Sequence, residues 1–277
     1  MMKKIKIIVL TICLFIPFLV NALEINDLYS ENVIVYNNDE NKILYEKNSE
    51  DTASIASLTK IMTTLVSIEN IKDLNEKVTI TERMLSSVPW DASVAGLKVG
   101  DVVTYEDLLY ASMLPSGADA TDSLAISLTG SISSFVEKMN DLAKKLNLTG
   151  LKFSNTTGYD ASGHYGTAKD ILKLLEYALE NPTFKKIYET KEYTLSNGLE
   201  VSSTINYYNK KYGYDLSFIK GSKTGFTYDA GRCLASIAYD DENDINYMMI
   251  TARAKNVVTY PVLDAVNSYQ KIFDSFT

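Results

Sequence analysis

Hydrophobic positions change their spacing along the chain, and these changes divide it into a strand pair, a helical block and a second group of strands. Short apolar runs at 33–36 and 42–46, separated by the polar residues 37–41, predict a β-hairpin. From about Val66 to Leu179 apolar residues recur at helical spacing, and strand-like runs return after Pro182.

The helical block carries recognisable start and stop signals. Thr104 and Thr167 stand before amphipathic runs as N-caps, and Ser134 with Glu137 has the spacing of a capping box. Pro115-Ser116-Gly117 interrupts the pattern, so we expect one helix to end near this tripeptide and another to begin after it. A further helix is predicted to begin near Ser57 and to be largely apolar.

The remaining runs predict strands and a closing helix. The expected elements are a hairpin formed by 193–195 and 199–201, a strand at 217–224, a hairpin formed by 231–239 and 245–252, and an amphipathic helix at 261–273. Strands from both ends of the chain can then form one antiparallel sheet flanked by helices, with the mainly helical middle as an inserted lobe. This is an α+β fold, and a cleft is expected where lobe and sheet meet.

The first residues predict export. Lys3, Lys4 and Lys6 precede an apolar run from Ile7 to Val20, and small residues follow as far as Ala22. Residues 1–22 are therefore predicted to be a signal peptide. Residues 23–277 are predicted to form one domain that is large enough for an enzyme, and no C-terminal β domain or anchor is expected. An uncleaved membrane anchor is the alternative, because the apolar run is only slightly short for a span.

Charge and composition exclude several classes of protein. The formal net charge of −8 becomes −11 once the three lysines of residues 1–22 are removed, which argues against a nucleic-acid partner. His164 is the only histidine and Cys233 the only cysteine after residue 22, so neither a metal site nor another cofactor is expected. Cys233 lies in an apolar run, which favours a buried position over a reactive thiol.

Ser57 and Lys60 could form a nucleophile and its base. On a helix, side chains three residues apart are neighbours, and an amine beside a hydroxyl can take its proton. The same spacing occurs at Ser217/Lys220 and at Ser268/Lys271, so spacing alone does not select the first pair.

A second motif strengthens this hypothesis. Lys223-Thr224-Gly225 ends a strand-like run. Glycine at a strand edge lets a peptide backbone approach closely, and the lysine and the hydroxyl can bind a carboxylate.

Four segments together resemble the low-molecular-mass D-alanyl-D-alanine carboxypeptidases, a family of serine penicillin-binding proteins. They are ASLTKIMT at 56–63, FSNTTGYD at 153–160, HYGTAKD at 164–170, and KTGFT at 223–227. The resemblance runs in order from about Leu28 to about Ala265. It implies the β-lactamase/DD-peptidase-like fold and a secreted, extracytoplasmic serine peptidase that removes the terminal D-Ala from peptidoglycan stem peptides.

The resemblance also implies roles for individual residues. Ser57 would attack the carbonyl of the D-Ala-D-Ala bond, Lys60 would take its proton, and Ser116 would relay a proton to the leaving amine. Substrate binding would fall to Lys223, Thr224, Gly225 and Phe226, the last through a backbone N–H of the oxyanion hole. The implied partners are stem peptides ending in D-Ala-D-Ala and β-lactams acting as covalent inhibitors.

Some positions depart from the family pattern and keep alternatives open. Ala118 replaces the asparagine of a Ser-x-Asn motif, which leaves open a weak or inactive protein that only binds wall peptides or β-lactams. A β-lactamase is less favoured, because residues 153–160 hold no glutamate to direct water. Arg253 is a candidate for a carboxylate-binding residue, and Trp90 could either line the cleft or pack in the core. His164 is expected to be structural.

Overall fold

A computed structural model describes residues 25–275, so the predicted signal peptide lies outside the described residues. The strands are β1 (Asn32–Asn37), β2 (Lys42–Lys47), β3 (Lys77–Thr79), β4 (Val102–Thr104), β5 (Glu192–Thr194), β6 (Glu200–Ser202), β7 (Ile219–Thr227), β8 (Gly231–Asp240) and β9 (Ile245–Ala254). The helices are α1 (Thr59–Asn70), α2 (Glu82–Leu85), α3 (Tyr105–Met113), α4 (Ala118–Thr129), α5 (Ile132–Lys145), α6 (Ala168–Leu179), α7 (Pro182–Glu189), α8 (Thr204–Tyr212) and α9 (Tyr260–Asp274). None of these helices is long and apolar enough to cross a bilayer.

The main sheet joins strands from both ends of the chain. Its order is β2-β1-β9-β8-β7, and every neighbouring pair is antiparallel. Because side chains alternate between faces, neighbouring residues of β1 enter different cores. Ile34 packs with the helical lobe, whereas Val33 and Val35 pack with α9 on the opposite face. The α+β arrangement with an inserted helical lobe is therefore confirmed.

Helix α1 lies at the centre of the lobe. Its residues from Thr59 to Ser67 are all buried, because other helices of the lobe surround it. The buried hydroxyls find acceptors on nearby backbone: Thr63 donates to the carbonyl of Thr156 at 2.7 Å, and Ser67 to that of Thr63 at 2.8 Å. This burial fixes the helix that follows Ser57.

Several predicted element boundaries are confirmed. Thr104 forms a capping box with Asp107 at the start of α3, and Thr167 caps α6. The prediction of a capping box at Ser134 is wrong: α5 begins at Ile132, and the hydroxyl of Ser131 accepts from the N–H of Ser134. Both position 131 and position 134 are serines, so residue type alone could not show that the helix begins one turn earlier than predicted.

The region after Pro182 is less strand-rich than predicted, because α7 and α8 also lie there. Pro182 occupies the first turn of α7, where its missing N–H costs nothing, and Asn181 caps the helix. In α8 only Ile205 and Tyr208 are buried, so its apolar stripe is too narrow to stand out in the sequence.

Candidate active site

Ser57 and Lys60 are brought together at the entry to α1. Ser57 lies in a short 3-10 turn, Ala56–Leu58, which runs directly into the helix. The Lys60 ammonium is 3.0 Å from the Ser57 hydroxyl oxygen, within hydrogen-bond distance. Lys60 also donates to the carbonyl oxygen of Thr157 at 2.6 Å. The amine is thus held beside the hydroxyl from two directions.

Burial changes the proton affinity of this amine. Lys60 is 2% exposed, and the loss of hydration lowers its pKa to about 7, although the carboxylates of Asp122 and Asp119 act in the opposite direction. Burial and the charge of Lys60 also lower the pKa of Lys223. Near neutral pH, a large fraction of Lys60 is therefore the free amine that can accept a proton.

This pKa predicts the pH dependence of acylation. Because only the unprotonated amine can act as a base, the rate at which Ser57 is acylated should rise with pH through a midpoint near pH 7 and then level off. Stopped-flow labelling with a fluorescent penicillin between about pH 5 and pH 9 would measure the profile. A rate that stays flat from about pH 5 upward would contradict a lysine base.

The opposite wall of the cleft is formed where α3 gives way to α4. Ser116 has a φ of 66° and is buried, and its hydroxyl oxygen has no hydrogen-bond partner within residues 25–275. Ala118, the first residue of α4, also lines the cleft, and its N–H donates to the carbonyl of Ser93 at 2.8 Å. This wall of the cleft therefore contains an unpaired hydroxyl at Ser116 and a methyl group at Ala118.

Asp119 holds the neighbouring loop in place. Its buried carboxylate accepts from the backbone N–H groups of Ala95, Gly96 and Leu97 at 2.9, 2.9 and 3.0 Å. Hydrogen bonds to a carboxylate are stronger than those between neutral groups, so this loop is fixed to the start of α4. Residues 91–93 of the same loop line the cleft.

The edge strand β7 forms the third wall. Thr224, Gly225 and Phe226 line the cavity, whose volume is about 450 Å³. A Cβ at Gly225 would lie 3.0 Å from the backbone nitrogen of Ser57, so glycine allows the strand to pass close to this residue. Lys223 is buried behind this wall and donates to the carbonyl of Thr224 at 2.9 Å.

The structure therefore groups most of the residues that the sequence singled out. The predicted residues that line this same cavity are Ser57, Lys60, Ser116, Thr224, Gly225 and Phe226. Lys223 lies next to the cavity, not on its surface. Neither Ser217/Lys220 nor Ser268/Lys271 lines it, and Ser268 is completely buried in α9.

Three secondary expectations are resolved by position. His164 is structural: it accepts from the N–H of Ser154 at 3.1 Å and bonds Thr59 at 2.8 Å, and burial lowers its pKa to about 4. Trp90 is 95% exposed, so the core alternative is wrong, and it is not among the residues that line the cavity. Cys233 is buried, and burial raises the pKa of its thiol to about 12.

Arg232 lines the cavity, and sequence reasoning did not identify it. It pairs in register with Phe226 across β7 and β8, and its guanidinium carbon lies 3.9 Å from the centre of the Phe226 ring. Arg253 is instead paired with Glu31 at 2.9 Å and does not line the cavity. The register of the hairpin, with Tyr228 to Ala230 as its turn, was the signal that could have led to Arg232.

The cavity contains the parts of a covalent acyl-transfer site and lies at the junction of a helical lobe and an antiparallel sheet. Within residues 25–275, His, Cys, Asp and Glu side chains form no group of three or more that could hold a metal ion. A serine hydroxyl beside a buried lysine amine at such a junction is the arrangement expected of the serine peptidase class. The chain belongs to the D-alanyl-D-alanine carboxypeptidase family Peptidase S11, whose family model matches residues 20–254.

Curated relatives agree with this assignment. A D-alanyl-D-alanine carboxypeptidase of Streptomyces sp. strain K15 is 34% identical over 217 residues, covering 73% of this chain and 74% of the relative. D-alanyl-D-alanine carboxypeptidase DacF of Bacillus subtilis strain 168 is 30% identical over 213 residues, covering 76% of this chain. The matched region is only 54% of the Bacillus protein, so the chain spans about half the length of that relative.

Solved structures support the fold. The Streptomyces K15 DD-transpeptidase superposes with a TM-score of 0.80 at 29% identity, covering 90% of this chain and 98% of that one. A D-alanyl-D-alanine carboxypeptidase from Mycobacterium tuberculosis H37Rv also gives a TM-score of 0.80, at 22% identity, covering 92% of this chain and 95% of that chain. The DD-peptidase fold expected from the sequence is therefore confirmed.

Proposed function

We propose that this protein is an exported serine D-Ala-D-Ala carboxypeptidase that removes the terminal D-Ala from peptidoglycan stem peptides through an acyl-enzyme on Ser57. The observation that carries this proposal is the 3.0 Å contact between the Ser57 hydroxyl and a buried Lys60 amine at the base of an open cleft. Export follows from the predicted signal peptide and places the enzyme with its wall substrate.

In the first half-reaction, the Ser57 oxygen attacks the carbonyl carbon of the penultimate D-Ala while its proton passes to the Lys60 nitrogen. The oxygen of the resulting tetrahedral centre carries the negative charge. Ser57 lies in the turn just before α1, where a backbone N–H has no acceptor within the helix and can donate to this oxygen. The backbone N–H of Phe226 on the edge strand is the second donor. These two groups form the proposed oxyanion hole.

Collapse of that centre breaks the peptide bond. The leaving nitrogen takes a proton from Lys60, passed on by the hydroxyl of Ser116, a residue that lines the cavity and whose oxygen has no partner in the described chain. The terminal D-Ala departs, and Lys60 is again unprotonated. Water then attacks the Ser57 ester and gives its proton to Lys60. The ester breaks to release the shortened peptide, and Ser57 regains its proton.

The geometry also suggests how the free carboxylate is recognised. Lys223 is buried behind the cavity wall and donates to the carbonyl of Thr224, so its role is to hold this part of the wall in place for the substrate. Thr224 and Arg232 both line the cavity, and no ion pair to Arg232 is found among residues 25–275. Arginine is always charged in proteins, so Arg232 and the Thr224 hydroxyl together can bind the terminal carboxylate of the substrate.

Replacing Arg232 with glutamine tests this assignment. The loss of one charge-assisted contact should reduce kcat/KM for D-Ala release about 10- to 100-fold, corresponding to roughly 1.5–3 kcal/mol. A substrate whose terminal carboxylate is amidated should be affected much less, because it has no charge for Arg232 to bind. The matched control is Arg253→Gln, which breaks an exposed ion pair to Glu31 outside the cavity. Equal losses with both substrates would contradict the proposed contact.

Ala118 supports a second candidate, a protein of the same fold that binds wall peptides or β-lactams but turns substrate over poorly. Its methyl group lines the cleft and offers no hydrogen bond to a substrate amide. Losing one such bond typically costs about 1–3 kcal/mol, which weakens an enzyme without removing its nucleophile. The intact Ser57–Lys60 pair therefore favours catalysis.

One experiment separates the two candidates. Purified mature protein is incubated with a fluorescent penicillin and, separately, with a tripeptide ending in D-Ala-D-Ala, and released D-Ala is quantified. Labelling with steady D-Ala release supports the carboxypeptidase. Labelling without release supports the binding protein, and rapid hydrolysis of the penicillin would indicate a β-lactamase.

A further inference from the structure

Asp122 is a buried carboxylate that the mechanism above does not use. It lies one turn beyond Ala118 on α4, and it is 2% exposed. Its oxygens accept from the hydroxyls of Thr156 at 2.5 Å and Ser87 at 2.8 Å, and it forms no ion pair within the described residues. Burying a carboxylate without a cation in contact is costly, so its position calls for an explanation.

The hydrogen bond between Thr156 and Asp122 connects Asp122 to the segment that contacts Lys60, the proposed base. Residues 155–158 form a turn, and the carbonyl of Thr157 in this turn accepts from Lys60 at 2.6 Å. The neighbouring carbonyl, of Thr156, accepts from Thr63 at 2.7 Å, one helical turn beyond Lys60 on α1. Asp122 therefore ties α4 to the same turn that α1 holds through Lys60 and Thr63.

The charge of Asp122 also acts on Lys60. Of the charged groups around Lys60, Asp122 and Asp119 favour its protonated form, with Asp122 the stronger. On β7, the charge of Lys60 and burial both lower the pKa of Lys223. Asp119 is already occupied by backbone N–H groups of the 95–97 loop, and His164 is kept neutral by its low pKa. Asp122 is thus the carboxylate best placed to oppose the desolvation of Lys60.

We propose that Asp122 is a positioning residue for Lys60: through Thr156 it fixes the 155–158 turn whose carbonyl receives the amine, and it supplies the carboxylate charge nearest to that turn on α4. This inference rests on the proposed function for the role of Lys60 as a base. Without the charge of Asp122, burial would lower the pKa of the Lys60 amine further. The amine would then be unprotonated at lower pH, but it would be a weaker base and would accept the Ser57 proton less readily.

Asp122→Asn tests the charge while preserving the shape. An asparagine oxygen can still accept from Thr156, and its amide can donate to Ser87, whose hydroxyl can reverse its role. The titration midpoint of Lys60, followed by the ¹³C shift of its Cε, should fall by about one pH unit. The acylation profile should cross that of the native protein. The rate should be higher on the acid side and about threefold lower on the plateau, because a base of lower pKa is intrinsically weaker.

Asp107→Asn is the matched control, because Asp107 is equally buried and also capped by hydrogen bonds but does not act on Lys60. It should leave the Lys60 midpoint unchanged. If Asp122→Asn does not fold, Asp122→Ser carries the test: it also removes the negative charge, so the Lys60 midpoint should fall in the same direction.

The ¹³C titration does not depend on turnover, so it distinguishes this inference from the proposed function. A Lys60 midpoint that falls supports the inference even if no D-Ala is released. A midpoint that stays within about 0.2 of the native value in the folded Asp122→Asn protein overturns it, whatever the activity.

Discussion

Ser57→Ala is expected to abolish covalent labelling by penicillin and to reduce D-Ala release by about 10⁴-fold or more, because the acyl-enzyme can no longer form. The fold should be unaffected, because within residues 25–275 the Ser57 side chain forms a hydrogen bond with Lys60 and not with the surrounding framework. Intact-protein mass spectrometry after incubation with penicillin would show an added penicilloyl mass on the native protein and none on the variant.

Ser217→Ala provides the control for this experiment. Ser217 stands three residues before Lys220, the same spacing as in the proposed pair, but it lies outside the cavity. Its variant should acquire the adduct at the native rate. An adduct on Ser57→Ala at the native rate would mean that another residue is the nucleophile.

Gly158→Ala is expected to cause the largest loss of stability among single substitutions at the site. Gly158 has a φ of 85°, and a Cβ there would lie 1.9 Å from the carbonyl oxygen of Ala56, the residue before Ser57. Left-handed backbone disfavours alanine, and the clash is with backbone that cannot rotate away. We expect a loss of about 3 kcal/mol or more in the free energy of unfolding, and acylation slowed about 100-fold in any protein that folds.

Gly163→Ala separates the two causes. Gly163 also has a positive φ, of 75°, but the nearest atom to a new Cβ is the Lys152 Cε at 3.9 Å. Its cost should be limited to the backbone term, about 1 kcal/mol, with normal acylation. Urea denaturation of both variants would measure the difference. Similar losses for the two would show that the contact with Ala56 can relax.

The sequence predicted the fold and the centre of the site because both depend on local patterns. Two hairpins of the main sheet, β1–β2 and β8–β9, follow from apolar runs and turn residues. The Ser57–Lys60 pair follows from helical spacing together with a distinctive Lys-Thr-Gly motif far along the chain. The structure adds that these motifs, more than 160 residues apart in sequence, meet at Gly225, where glycine lets the edge strand approach Ser57 closely.

The rest of the site depends on contacts that no local pattern encodes. Asp119 and Asp122 are neighbours on α4, but nothing in their spacing says that one binds the 95–97 loop and the other binds Thr156. The sequence pointed to Arg253 as the carboxylate-binding candidate, and only the strand register brings Arg232 to the cavity instead. Helix α8 brings Tyr208 to the cavity, and its weak amphipathic pattern concealed it.

The burial of α1 has a consequence for how the protein loses activity. Its residues from Thr59 to Ser67 are buried, so exchange of their backbone amides with solvent should require opening of the whole lobe and not fraying of one element. A site built on the entry to this helix remains assembled until the domain itself unfolds. Inactivation by heat or denaturant should therefore coincide with global unfolding. A folded protein whose proposed active site is locally disordered should be rare.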